Sequence, residues 1–213
     1  SIRNEGTDVA RTFTELGYTV FVLVYRLPGE GWANRADVPL QDAQRAMRLI
    51  KSRAGQFSID PDRISVIGFS AGGHLAASLI TAGRDGCYDG RDAADQLDPL
   101  PSLAALMYPV ISTEPPYTHQ QSVEMLLGPN PTAEAIERRS PARHIGASTP
   151  PTFLVHALDD VPVPSQNSLL FLDAMQRARR PVEIHLFEEG GHGFGIGPSN
   201  APAGQWPQLL SAF

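Results

Sequence analysis

Five short apolar runs alternate with stretches of helical periodicity, and that alternation restricts the chain to few architectures. The runs are YTVFVLVYRL (18–27), RISVI (63–67), SLAALMYPVI (102–111), PTFLVHAL (151–158) and VEIHLF (182–187). They are nearly continuous in apolar side chains, as strands buried on both faces of a parallel sheet are. Between them, apolar residues recur at helical spacing: Val9, Ala10, Phe13 and Leu16 in 4–16, and Leu40, Ala43, Ala46, Met47 and Ile50 in 39–53. Further helices are predicted over 71–82, 165–178 and 203–213, with a polar, glycine-rich loop over 84–101. Strands alternating with amphipathic helices imply an α/β fold, a mainly parallel sheet with helices on both faces. In such sheets ligands sit beyond the carboxyl ends of the strands. The loops that follow each run are therefore where chemistry is sought.

The 213 residues suit one domain with a sizeable core, and the net charge of −6 comes with no long basic run. Nucleic-acid binding as the main task is disfavoured, because phosphate contacts need clustered Lys and Arg. QRARR at 176–180 reads as the solvated end of a helix, where cations suit the dipole. Cys87 is the single cysteine, so no disulfide forms within the chain, and it reads as a spare thiol. No apolar run approaches the roughly eighteen residues of a membrane span. Neither an H-E-x-x-H motif nor a Cys/His cluster is present, so no metal site is suggested.

VIGFSAGGHL (66–75) contains Gly68-Phe69-Ser70-Ala71-Gly72. This is G-x-S-x-G with an expected strand before it and an expected helix after it, the setting in which a strained turn presents a nucleophilic serine. Gly68 and Gly72 would leave room for the sharp turn, and the backbone N–H of Ala71 would face a developing oxyanion. The bland alternative is a strand-to-helix turn with a capping serine. After the fourth run comes HALDDVPVP, with Asp159 and Asp160 both placed where an orienting acid belongs. After the fifth comes EEGGHGFG, with His192 among glycines. The order serine, acid, histidine is that of the α/β-hydrolases. The other histidines fit other roles: His74 packs or bonds locally, His156 and His185 lie within strands, and His119 and His144 lie in a proline-rich stretch.

YRLP, GFSAGGHLAA, HALDDVPVPSQNS and FEEGGHGFG together resemble α/β-hydrolase esterases of the hormone-sensitive-lipase and acetyl-xylan-esterase-like group. The resemblance runs over nearly the whole chain. It implies a serine esterase acting on short-chain carboxylic esters, acetylated sugars or xylan among them, through an acyl-enzyme and without a cofactor. It also implies that the acid is Asp160, because in that group the acid commonly precedes an x-x-V-P run, here Val161 to Pro164. Asp159 then shapes the loop. The group carries a glycine-rich oxyanion loop of HGGG or PGGG type after an early strand, and neither precedes Ser1 here. The chain is thus expected to be a piece of a longer polypeptide lacking N-terminal strands, with a gap between a strand at 18–25 and the one at 63–67; direct closure of that gap, or a strand donated by another subunit, are alternatives. Residues 112–149 interrupt the alternation with two short helices, 120–127 and 132–138; they are expected to form either a small cap over the site, where SVEMLLG could line an acyl or alcohol pocket, or a small structural helix pair. Trp32 and Tyr117 could meet a sugar face or simply pack. A peptidase of prolyl-oligopeptidase type and a non-catalytic hydrolase-fold binding protein are the rival readings.

Overall fold

The computed structural model describes residues 2–83 and 87–213. Residues 84–86, the start of the predicted polar loop, lie outside the described residues. Four strands form one sheet in the order β1 (Ser65–Phe69), β2 (Leu103–Met107), β3 (Thr152–Ala157), β4 (Val182–Phe187). Every neighbouring pair is parallel, with Gly68 opposite Leu106, Leu106 opposite Leu154 and Leu154 opposite Ile184. All four carboxyl ends therefore emerge at the same edge. The helices are α1 (Asp8–Glu15), α2 (Val38–Ser52), α3 (Ala54–Phe57), α4 (Ser70–Thr81), α5 (Gln120–Leu127), α6 (Ala133–Arg138), α7 (Gln166–Arg177) and α8 (Trp206–Ala212).

Successive strand residues point to opposite faces, and each face has its own core. Ala105, Met107, Phe153 and Val155 meet Val9 and Phe13 of α1 and Trp206 of α8. Ala104, Leu106 and Leu154 meet Ala76, Ala77 and Ile80 of α4 and Phe171 and Met175 of α7. Helix α2 packs outside α4 through Leu40, Ala43 and Met47 against Leu75 and Leu79. Every residue of β3 is buried, which explains why PTFLVHAL shows no polar alternation.

The expected strand at 18–25 is not formed. Among the described residues it has no sheet partner, and β1, expected beside it across a gap, is an edge strand paired with β2 alone. The stretch is anchored by side chains instead. Val20 joins the core beside Phe13, Phe21 stands edge-on to Phe57 with ring centroids 4.8 Å apart, and Tyr25 packs against the α2–α4 layer. Val22 and Val24 are left 48% and 74% exposed. β-branched and aromatic composition supplies propensity, but a strand exists only through its ladder, and no ladder partner lies alongside. Direct closure of 18–25 onto 63–67 does not occur.

The run 102–111 gives a shorter strand than its composition suggests. Tyr108 turns to φ +36° and Pro109 has no N–H to donate, so the ladder ends at Met107. Residues 112–149 hold the two short helices α5 and α6. Asn167 of α7 ties that region down: its Oδ1 accepts from the N–H groups of Ile111 and Ser112 at 2.9 and 2.8 Å, and its Nδ2 donates to the Tyr117 carbonyl at 2.9 Å.

Candidate active site

Three loops leaving the carboxyl edge of the sheet bring Ser70, Asp160 and His192 together. Ser70 follows β1 directly and sits at φ +52°, a left-handed conformation that costs a serine energy and that the surrounding packing must hold. The turn is held from both sides. The Ser70 carbonyl accepts from the Val110 N–H at 3.2 Å. A Cβ at Gly68 would lie 2.4 Å from the Gly72 carbonyl oxygen and 2.6 Å from the Ala76 Cβ.

The second glycine that the turn needs is not the expected one. A Cβ at Gly72 would meet only the Tyr25 hydroxyl, at an ordinary 3.9 Å, whereas at Gly73 it would lie 2.8 Å from the Pro109 Cβ. The steric role given to Gly72 thus belongs to Gly73. Gly68→Ala and Gly73→Ala are each expected to lower stability by about 3 kcal/mol, as overpacking against backbone does, while Gly72→Ala stays within about 1 kcal/mol. Urea midpoints of the three variants check this.

The His192 imidazole lies between the other two groups. Its Nε2 is 2.8 Å from Ser70 Oγ and its Nδ1 is 2.7 Å from Asp160 Oδ2. A carboxylate only accepts, so Nδ1 carries the proton and Nε2 is left to accept from the serine hydroxyl. The loop bearing His192 depends on left-handed glycines, Gly191 at φ +63° and Gly193 at φ +78°. It is strapped at several points. Asn4 Nδ2 donates to the Gly193 carbonyl at 2.7 Å, Asp159 Oδ1 accepts from the Gly191 N–H at 2.8 Å, and the Tyr108 ring stands edge-on to His192 at 5.2 Å.

Asp160 is 4% exposed and held on both oxygens. Oδ1 accepts from the Val163 N–H at 2.9 Å, and Oδ2 lies 3.3 Å from His156 Nε2 as well as against His192. Burial alone would raise its pKa. The hydrogen bonds from His156, His192 and the Val163 N–H outweigh it and hold the carboxyl at about 2, ionised throughout the neutral range. Of the two neighbouring acids, Asp160 meets the imidazole and Asp159 braces the loop.

The Ala71 N–H opens the first turn of α4 beside Ser70 and makes no hydrogen bond among the described residues. It is free to donate to an anion there. Next to it lies an apolar cavity of about 160 Å³, walled by Tyr25, Ala71, His74, Val110, Val123 and Leu126 among others. SVEMLLG does line this cavity. The YRLP turn forms another wall: Arg26 clasps Asp42 at 2.6 Å and stacks on Trp32 at 4.9 Å, which fixes Tyr25 and Leu27 on either side. Neither Trp32 nor Tyr117 lines the cavity. Among the described residues no cluster of metal-ligating side chains occurs, and no helix is long and apolar enough to cross a membrane.

His74 does bond locally, its Nδ1–H donating to the Val110 carbonyl at 3.1 Å. Burial lowers its pKa to about 4 against an ordinary 6.5. The folded chain thus resists the proton that the unfolded chain accepts. Stability is full above about pH 6.5 and is lost as pH falls toward about 4, by about 2 kcal/mol between pH 7 and 4.5. Urea unfolding at those two pH values is expected to show this loss in the wild type and a smaller one in His74→Gln. His156, within a strand as its run predicts, does more than pack. It is fully buried, accepts from Ser168 Oγ–H, donates to the Val163 carbonyl, and also backs Asp160. Its place four residues before Asp160 was the available signal. His119, His144 and His185 bond to Ser122, the Glu137 carbonyl and Glu183, away from this cluster.

Residues 2–175 match the family model BD-FAE. An endo-1,4-beta-xylanase B of Butyrivibrio fibrisolvens is 35% identical over 91% of this chain and 30% of its own length. An acetylxylan esterase of Xylanibacter ruminicola is 28% identical over 91% of this chain and 38% of its own. The chain thus spans about a third of the length of these curated relatives. Among solved structures, an acetyl ester-xyloside bifunctional hydrolase from Caldicellulosiruptor lactoaceticus superposes with a TM-score of 0.88 at 36% identity, over 96% of this chain and 74% of that one. The parallel sheet, the loops at its carboxyl edge and a family match over most of the sequence agree: the chain has the α/β-hydrolase fold and belongs to the BD-FAE family.

Proposed function

We propose that this chain hydrolyses short-chain carboxylic esters, acetyl groups on sugars or xylan among them, through a covalent acyl-enzyme on Ser70. The observation that carries the reading is the continuous relay from Ser70 Oγ through His192 to Asp160, at 2.8 and 2.7 Å. Relatives named for acetylxylan and acetyl ester hydrolysis support the substrate class. His192 Nε2 takes the serine proton as Oγ bonds to the carbonyl carbon. Asp160 keeps the imidazole in the tautomer that can accept, then stabilises its cationic form. The Ala71 N–H donates to the tetrahedral oxyanion. His192 returns the proton to the leaving alcohol, and a water activated by the same imidazole releases the acid.

Turnover of 4-nitrophenyl acetate, acetate release from acetylated xylo-oligosaccharides and turnover of a peptide 4-nitroanilide, measured side by side, test the reading. Hydrolysis of the two esters with none of the anilide is the expected result. Anilide cleavage at a comparable rate would favour a peptidase, and inertness toward all three a binding protein.

A further inference from the structure

We propose that Glu5 and Tyr108 are positioning residues for His192: the Glu5 carboxylate holds the Tyr108 hydroxyl, and that hydroxyl fixes the loop bearing the imidazole at Gly195. The inference rests on the ester-hydrolase reading, because it concerns the base of that reaction. Both residues act through the loop and not on the reacting atoms.

The loop needs support from outside itself. Residues 188–201 belong to no helix or strand, and Gly195 among them sits at φ +56°. Glycine-rich backbone of this kind gives up much conformational freedom when it is fixed. An imidazole carried on it keeps its place only through what the loop is tied to. The demand on that place is strict, since a shift of about 1 Å in a reacting group can cost about a hundredfold in rate.

Adjacent residues of the turn before α1 supply two of the ties. Asn4 Nδ2 donates to the Gly193 carbonyl at 2.7 Å. Glu5 reaches two residues further along the loop by way of Tyr108. The Tyr108 hydroxyl donates to Glu5 Oε1 at 3.0 Å, and the same oxygen accepts from the Gly195 N–H at 3.0 Å. The direction of both bonds is fixed, because a carboxylate only accepts and an amide N–H only donates. Burial, and after it the Glu5 carboxylate, raise the Tyr108 pKa above its ordinary 10, so the hydroxyl keeps the proton it donates. The Gly195 carbonyl is taken by Trp206 Nε1–H at 2.9 Å, so both polar backbone groups of Gly195 are held.

Tyr108 is built for this task. It is fully buried, and its φ of +36° is strained for a tyrosine. Such strain persists only where the surroundings over-determine it, and it gathers at functional sites. The ring stands edge-on to His192 at 5.2 Å and to Phe194 at 4.8 Å. Ring and hydroxyl thus brace the loop on both sides of Gly193.

The test measures kcat and KM for 4-nitrophenyl acetate, with urea midpoints, on the full chain and on Tyr108→Phe, Glu5→Gln, Glu5→Ala and the double variant Tyr108→Phe/Glu5→Ala. Tyr108→Phe keeps the ring and loses only the hydroxyl; kcat is expected to fall about thirtyfold with KM within about twofold of wild type. Glu5→Gln keeps an oxygen that accepts from Tyr108 and is expected within about threefold of wild type, whereas Glu5→Ala falls about tenfold. Because Glu5 acts through the hydroxyl, the double variant is expected within about twofold of Tyr108→Phe. A purely structural role would move the urea midpoints and leave kcat of the folded variants unchanged, which overturns the proposal. Losses that multiply in the double variant also overturn it, as does a raised KM with kcat intact. If the alanine variants fail to fold, Tyr108→Phe decides by itself, because its ring contacts remain. A wild-type chain inert toward the ester, with no phosphonate adduct on Ser70, overturns the hydrolase reading itself and the positioning role with it.

Discussion

Ser70→Ala is expected to lower kcat on 4-nitrophenyl acetate by on the order of 10⁵-fold while the protein stays folded. The hydroxyl removed is the one that His192 Nε2 meets at 2.8 Å, and no other hydroxyl is bonded to that nitrogen among the described residues. Without it the imidazole can at best activate water, and what remains is stabilisation of the oxyanion and simple binding. The fold has little reason to change. Ser70 is only half-buried, and its backbone bond to the Val110 N–H does not involve the side chain. The left-handed φ of +52° is as strained for alanine as for serine, so stability is expected within about 1 kcal/mol of wild type. Steady-state kinetics with a urea titration on the same preparation separates loss of chemistry from loss of structure.

Asp160→Asn is expected to cost about 10⁴-fold in kcat, and Asp159→Asn less than about tenfold. An asparagine at 160 can turn its NH₂ toward His192 Nδ1, which then has to accept; the proton moves to Nε2 and the base faces Ser70 already occupied. Among the described residues, Asp160 Oδ2 is the group bonded to Nδ1, at 2.7 Å. Asp159 instead accepts a backbone N–H from Gly191, and an asparagine oxygen can do the same. A larger loss at 159 than at 160 would move the orienting acid to Asp159.

Much of this site was legible because its signals are local. A strand, a sharp turn and a helix start leave their marks within ten residues around Ser70, and the loops after β3 and β4 had to open at the same edge once the sheet was parallel. β4 (Val182–Phe187) coincides with its apolar run because β3 pairs with it and α7 packs against it. The stretch 18–25 had an equally strong composition and forms no strand, since pairing depends on what lies beside a segment and not on its residues. The exchange of Gly72 for Gly73 depended on where Pro109 arrives from β2, a contact between residues more than thirty apart. His156 is a strand residue by sequence and in the fold, and the loop that folds Asp160 back over it is invisible in one dimension. The bracing of the His192 loop by Asn4 joins residues 189 apart and left no trace in the local sequence.

In the proposed mechanism Ser70 is a nucleophile because His192 and Asp160 make it one. The most direct measurement is the rate and site of labelling by a small alkyl fluorophosphonate, read by intact mass and peptide mapping on the folded chain. One adduct is expected, on Ser70, absent in Ser70→Ala and formed at least about a thousandfold more slowly in His192→Gln. A folded wild-type chain that takes up no label, or one labelled at Ser70 at the same rate with and without the imidazole, would contradict it.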